Sequence, residues 1–167
     1  SVFKTIFRFI STFLLIFILA YSIINAPAIA LKIQYFFKTE FQNKKLETSF
    51  KFPVAIANKS RLVIPKIGTN APITWDVSED QTTEKLQDGV AHYKGTALPG
   101  QQGNIVITGH SSYYIWAPGS YKNVFALLNN LSGGDKIYIL YNQSKFTYEV
   151  TNKKTVSPDD LSVLEQT

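Results

Sequence analysis

A mainly β domain with short helices, carried behind an N-terminal transmembrane helix, is the architecture the sequence predicts. Three observations lead there. Lys4 and Arg8 precede an uncharged run from Phe9 to Leu31, about the length that crosses a bilayer. From Arg61 onward the chain falls into short runs rich in Ile, Val, Tyr and Thr (RLVIP, API, NIVITG, KIYILY, KFTYEVT) separated by Gly, Pro, Asn and Asp, the texture of a sheet protein. Stretches with helical spacing are few and short. The 167 residues leave room for one domain plus a flanking segment, and 45% hydrophobic with 14% aromatic residues places that domain among globular chains, not disordered ones. The expected organisation is a membrane anchor at 1–31, a stalk or linker at 32–58 and the β domain at 59–167.

The first segment admits two readings. Basic residues ahead of the run favour a cytoplasmic N-terminus and an exported C-terminal domain, although Lys32 and Lys38 on the far side pull the other way. Ala28-Ile29-Ala30 imitates a signal-peptide cleavage site, but the run is long for a signal peptide's core, which favours an uncleaved anchor. A buried soluble helix fits poorly, because the run has no polar face. Residues 1–58 carry seven Lys/Arg against two Glu, whereas residues 59–167 carry ten basic and ten acidic side chains. The positive charge thus belongs to the arm, and a nucleic-acid partner, which would draw it onto the folded part, is disfavoured.

Residues 32–58 mix Lys with Phe and Tyr without a clean period; they read either as a stalk that starts as a helix on an anionic membrane surface or as a plain linker. Within the domain, Ile105-Val106-Ile107 is apolar on both sides and is expected to be a central strand, while Phe146, Tyr148 and Val150 alternate with Thr147 and Glu149 as a strand with one wet face. Gly133-Gly134-Asp135 opens a strand at Lys136, and Asn142-Gln143-Ser144 turns it back as a hairpin. Short helices are expected over Thr82 to Asp88 and Lys122 to Asn130. A third is expected from Ser157, with Ser157 as its cap, Pro158 at the first helical position, and Asp159 and Asp160 at the positive end of its dipole.

Chemistry concentrates in Gly89 to Ser112, GVAHYKGTALPGQQGNIVITGHSS. His110 follows an apolar strand that gives it a rigid platform, Gly109 permits close backbone approach there, and a near-neutral imidazole exchanges protons with a nucleophile or leaving group. The bland alternative, a satisfied structural histidine, is the commoner fate of a lone histidine at a strand end. Ser111 and Ser112 are poorly placed for an immediate Ser-His dyad, because neighbours on an extended chain point to opposite sides. His92 reads as a hydrogen-bonding loop residue; with no cysteine and no ligand spacing, neither a metal nor another cofactor is expected. The Gly-rich loop 95–104 lacks a phosphate-cradling pattern and reads as a turn. Tyr113, Tyr114, Trp116 and Tyr121 crowd the segment after His110, either as a substrate wall or as a cover for the end of the sheet.

In this order, RLVIPKIGTNAPI, the 89–112 stretch with its Gly-x-x-His, Thr-x-x-Pro-Gly and Thr-Gly-His elements, FALLNNLSGGDKIYI and VSPDDLSVLEQT resemble the sortases, membrane-anchored cysteine transpeptidases of bacterial surfaces, with a lean toward class D-like or otherwise unassigned housekeeping types. The resemblance covers Arg61 to Thr167. It implies a closed β-barrel, held by a single-pass anchor on the extracellular face of the bacterial cell membrane. It implies His110 as the catalytic histidine beside a cysteine whose thiolate attacks an LPxTG-like sorting signal, and an arginine that stabilises the oxyanion. The implied partners are surface proteins bearing sorting signals, an amine acceptor on a cell-wall precursor or pilin, and membrane lipid. This sequence departs from the pattern: it has no cysteine, and its only arginines, Arg8 and Arg61, match no family motif. With no methionine even at position 1, the expectation is a fragment that stops before the catalytic cysteine and arginine and is inactive by itself. The alternatives from other classes are a noncatalytic, membrane-tethered module that binds peptide or cell-wall glycan, and a metal-dependent hydrolase.

Overall fold

The computed structural model describes residues 2–42, 59–114, 116–157 and 159–165. One long helix, α1 (Val2–Gln42), opens the chain. Its first part, Val2–Ala26, has a mean hydropathy of 2.2 and none of that window is buried, so its apolar side chains find no protein to cover them. The helix does not stop at Leu31, where the uncharged run ends, but carries through the start of the expected stalk; residues 43–58 lie outside the described residues. Beyond the apolar window Leu31 and Tyr35, one turn apart, are half-buried, and Tyr35 packs against the core of the domain.

The domain is built on β1 (Arg61–Ile64), β2 (Thr69–Val77), β3 (Val90–Tyr93), β4 (Ile107–Thr108), β5 (Lys136–Tyr141) and β6 (Ser144–Glu149), with one short helix, α2 (Glu79–Lys85). They form one sheet in the order β4-β3-β2-β1-β5-β6. β1 and β2 are antiparallel, joined by a three-ten turn at Pro65–Ile67; Gly68 closes it in the left-handed region at φ 69°, where a side chain would be strained. β2 and β3 are parallel and need the crossover that α2 supplies. β5 and β6 make the expected hairpin: Asn142 (φ 48°) and Gln143 (φ 62°) form a two-residue left-handed turn, whose twist suits antiparallel strands. Leu62 and Ile64 of β1, Ala71 and Ile73 of β2, Val90 of β3 and Ile139 of β5 share one face by strict alternation, and Leu127 and Leu131 cover them. Burying each large aliphatic side chain stabilises the fold by about 1.5–3 kcal/mol.

Five expectations are corrected. The sheet is not a closed barrel among the described residues: β4 and β6 are its two edges, and an apolar cleft of about 610 Å³ lies on the face that bears the core, lined by Leu62, Ile64, Ile107, Phe125, Ile139 and Tyr148 among others. Ile105-Val106-Ile107 is therefore not central; only Ile107 and Thr108 pair, with β3 alone, and its double-sided apolar character serves the cleft. The helix expected over Thr82 to Asp88 begins earlier, at Glu79, because Ser78 occupies the cap position and Glu79 and Asp80 fill the first turn; Leu86 ends it. Lys122 to Asn130 is a run of turns with a three-ten end at Leu128–Asn130, since its backbone is engaged elsewhere. Phe125 N–H donates to His110 O (3.0 Å), and Val124 O accepts from Thr69 Oγ1 (2.9 Å). Near the C-terminal end the helical turn spans Leu161–Leu164, and Asp160, not Ser157, caps it by accepting from Ser162 N (3.1 Å).

Candidate functional site

β4 pairs with β3 through Ala91↔Thr108 and His92↔Ile107, then releases the chain at Gly109 and His110. Gly109 is required for space: a Cβ there would lie 2.8 Å from the Phe125 ring and 2.8 Å from Val124 Cγ1. The 122–127 turn therefore rides directly on the backbone before His110, and the Phe125 to His110 hydrogen bond fastens it. The His110 ring stacks on Tyr113, centroids 4.3 Å apart and planes 12° from parallel. Its Nε2 is buried with no hydrogen-bond partner among the described residues, an arrangement that costs stability and recurs at functional sites.

Burial holds the His110 pKa below its ordinary 6.5. The ring is thus neutral at neutral pH and ready to accept a proton. The same shift makes stability depend on pH. Above 6.5 the ring is neutral in both states; as pH falls below 6.5 the unfolded chain takes up a proton that the folded ring resists, so stability is lost through that interval. The His110 Cε1 proton is expected to titrate by NMR with a midpoint below 6.5, and His110→Gln should flatten the fall of Tm between neutral pH and that midpoint. A midpoint above 6.5 would contradict the burial argument.

The remaining candidates separate clearly. No described residue reaches His110 Nε2, so Ser111 and Ser112 form no dyad with it. His92 is not a loop residue but lies on β3, fully buried. Its Nε2 sits 3.0 Å from both Ala97 O and Thr96 Oγ1, and its Nδ1 accepts from Asp76 N–H (3.4 Å). Because Thr96 Oγ1 itself donates to Tyr93 O (2.7 Å), it is an acceptor toward the imidazole, which fixes the tautomer with the proton on Nε2. Asp76 takes part only because β2 bulges there, with Asp76 at φ 54°; nothing in the sequence signals that bulge or Asp76, whereas Thr96 is the threonine of the Thr-x-x-Pro-Gly element. Residues 95–104 form a turn closed by Ala97 N–H to Asn104 O (3.0 Å) and feed β4. Arg61 is committed to Asn70, Nε to Oδ1 at 2.6 Å and a second N–H to the carbonyl at 2.9 Å. Among the described residues no three His, Cys, Asp or Glu side chains converge as metal ligands. The apolar cleft reaches Ile107 and Phe125, on either side of Gly109, but His110 itself does not line it.

An antiparallel-parallel sheet of this order, with a histidine released from a glycine just past the fourth strand, has relatives. The family model for the sortase domain matches residues 62–167, so the chain belongs to the sortase family. Sortase D of Bacillus subtilis (strain 168) is 32% identical over 127 residues, which make up 76% of this chain and 57% of that protein. The solved structure of a Clostridium perfringens Sortase D5 transpeptidase superposes with a TM-score of 0.53 at 25% identity, covering 74% of this chain and 78% of that one. Sortase C1 of GBS Pilus Island 1 gives 0.52 at 31% identity over 65% of this chain and 49% of its own. The chain thus spans little more than half the length of the Bacillus relative, and its character is class D-like.

Proposed function

We propose that this protein is a sortase-type transpeptidase in which His110 is the proton carrier. The observation that supports this most is the buried, unpartnered Nε2 of His110, held by Gly109 and Phe125 at the end of β4. In the proposed reaction a thiol gives its proton to His110 and attacks, as the thiolate, the carbonyl carbon of the Thr-Gly bond in an LPxTG-like sorting signal; the His110 imidazolium then delivers that proton to the departing glycine amine, and a thioester remains. An acceptor amine on a cell-wall precursor or pilin then attacks the thioester and gives its proton to His110, the C–S bond breaks, and His110 returns the proton to the departing thiolate. Residues 1–167 contain no cysteine, Arg61 is committed to Asn70 and Arg8 lies in α1, so the proposed reaction draws its thiol and its oxyanion-stabilising arginine from outside these residues. The proposed setting is the bacterial cell membrane: Val2–Ala26 spans it once, the β domain stands on the extracellular face, and the substrates are surface proteins bearing sorting signals.

A fluorogenic LPxTG-like peptide tests the reading. Residues 1–167 alone are expected to give no cleavage above buffer. The protein translated from the complete reading frame is expected to cleave, to lose activity on thiol alkylation, and to lose on the order of a hundredfold or more in kcat with His110→Ala. Cleavage that survives alkylation, or that His110→Ala leaves intact, would sink the proposal. The open apolar cleft favours a second reading, a noncatalytic membrane-tethered peptide-binding module; peptide binding by the complete protein, insensitive to His110→Ala and without turnover, would establish it instead.

A further inference from the structure

We propose that the loop after His110 is a membrane-contacting surface, with Tyr114 and Trp116 seated in the headgroup region of the bilayer that α1 crosses. The inference rests on reading Val2–Ala26 as a span. Within the described part of the domain, the large hydrophobic side chains left in water are Tyr114 (54% exposed), Trp116 (67%), Leu128 and Val156, so both aromatic ones sit on this loop. They stack on each other, centroids 5.1 Å apart and planes 18° from parallel, as one flat amphipathic surface. Tyr and Trp combine an apolar ring with a polar tip and concentrate at membrane interfaces for that reason.

Position supplies the second argument. Ile24 and Asn25 of α1 line one groove with Ser112, Tyr113 and Tyr114. Ile24 lies in the last turn of the apolar window, which ends at Ala26, so the loop stands where the chain leaves hydrocarbon. The domain's other contact with α1, at Leu31, Gln34 and Tyr35 against Lys66, Ile67 and Leu127, is roughly 9–16 Å farther along the helix at 1.5 Å per residue. The domain therefore leans on the helix with its aromatic loop lowest. Charge agrees: from Gly95 to Tyr121 the chain has no Asp, Glu, Lys or Arg, so no ionic side chain has to be desolvated or repelled there. Tyr113, stacked on His110, links this surface to the site and places His110 beside the membrane.

Trp116 reports on its own position. The other tryptophan, Trp75, has no hydrogen-bond partner for its Nε1 among the described residues, so Trp75→Phe removes the second fluorophore without breaking such a bond. The full chain carrying Trp75→Phe would be reconstituted into phosphatidylcholine/phosphatidylglycerol vesicles containing lipids brominated at shallow or deep acyl positions. The expected result is about twofold quenching of Trp116 by the shallow label, weaker quenching by the deep one, and weakened shallow quenching with Tyr114→Ser. Subtracting the emission of Trp116→Phe from that of the native chain gives the same quantity with Trp75 in place. Carbonate extraction of the same vesicles separates the two readings. A carbonate-resistant chain whose Trp116 is unquenched and open to iodide overturns the loop contact while leaving the span intact. A chain released by carbonate overturns both.

Discussion

Gly89→Ala is expected to destabilise the domain by about 3 kcal/mol or more, lowering Tm by more than about 10 °C. The cause is space, not backbone conformation. A Cβ on Gly89 would stand 2.2 Å from Pro72 O and 3.1 Å from Pro72 C, distances no relaxation of a side chain can relieve, because the opposing atoms are backbone. Nor can that backbone retreat. Pro72 lies in β2, paired to Arg61 of β1 on one side, and the next residue, Ile73, pairs to Val90 of β3 on the other. Ile73 N–H also donates to Ser60 O at 3.1 Å, which fixes the strand beside Pro72. The missing N–H of Pro72 faces the side where β3 has not yet begun to pair, and the carbonyl of the same residue is what glycine accommodates. Gly133→Ala is the control: its nearest neighbour would be Val150 O at 3.8 Å, an ordinary contact, and its effect should stay within about 1 kcal/mol. Urea unfolding of the full chain in detergent measures both; a loss below about 1 kcal/mol for Gly89→Ala would refute the steric argument.

That contrast between two glycines shows what was legible beforehand. Period and punctuation carry the strands: the alternation in Phe146 to Val150 and the turn at Asn142-Gln143 appear in the structure at those residues, because a hairpin is specified by neighbours in sequence. His110 stood out for the same reason, as a polar residue after an apolar strand and a glycine. What the sequence hides is set by distant partners. The Lys122 to Asn130 stretch has helical spacing, yet Thr69 and His110 take its backbone groups from 55 and about 15 residues away in the chain, and turns result. The doubly apolar Ile105-Val106-Ile107 suggested a central strand, since sequence reports that both sides meet apolar matter but not whether one of them is a cleft. The β2 bulge at Asp76 has no local signature either, because its reward, a bond to His92, lies on another strand.

His92→Ala is expected to cost about 3–5 kcal/mol, because it combines a cavity with the loss of three polar contacts from two segments. The side chain is fully buried, packs its ring against Trp75 with centroids 4.9 Å apart and planes tilted by 49°, and is the common partner of Asp76 N–H, Thr96 Oγ1 and Ala97 O. Removing it strands the bulge of β2 and loosens the 95–104 turn, whose far end is β4 and then His110. His92→Phe separates the two contributions. It retains the ring against Trp75 but offers nothing to the three polar atoms, so a cost of about 2 kcal/mol is expected from the unpaired groups alone. The discriminating readout is local: amide exchange at Ala97, whose N–H donates to Asn104 O, and at Tyr93, whose N–H donates to Val106 O (2.9 Å), should quicken in both variants. If His92 merely fills space, His92→Phe will be nearly neutral and exchange at Ala97 unchanged. If it organises the approach to the site, the phenylalanine variant will stay folded while the turn that delivers β4, and the imidazole beyond it, loses its protection.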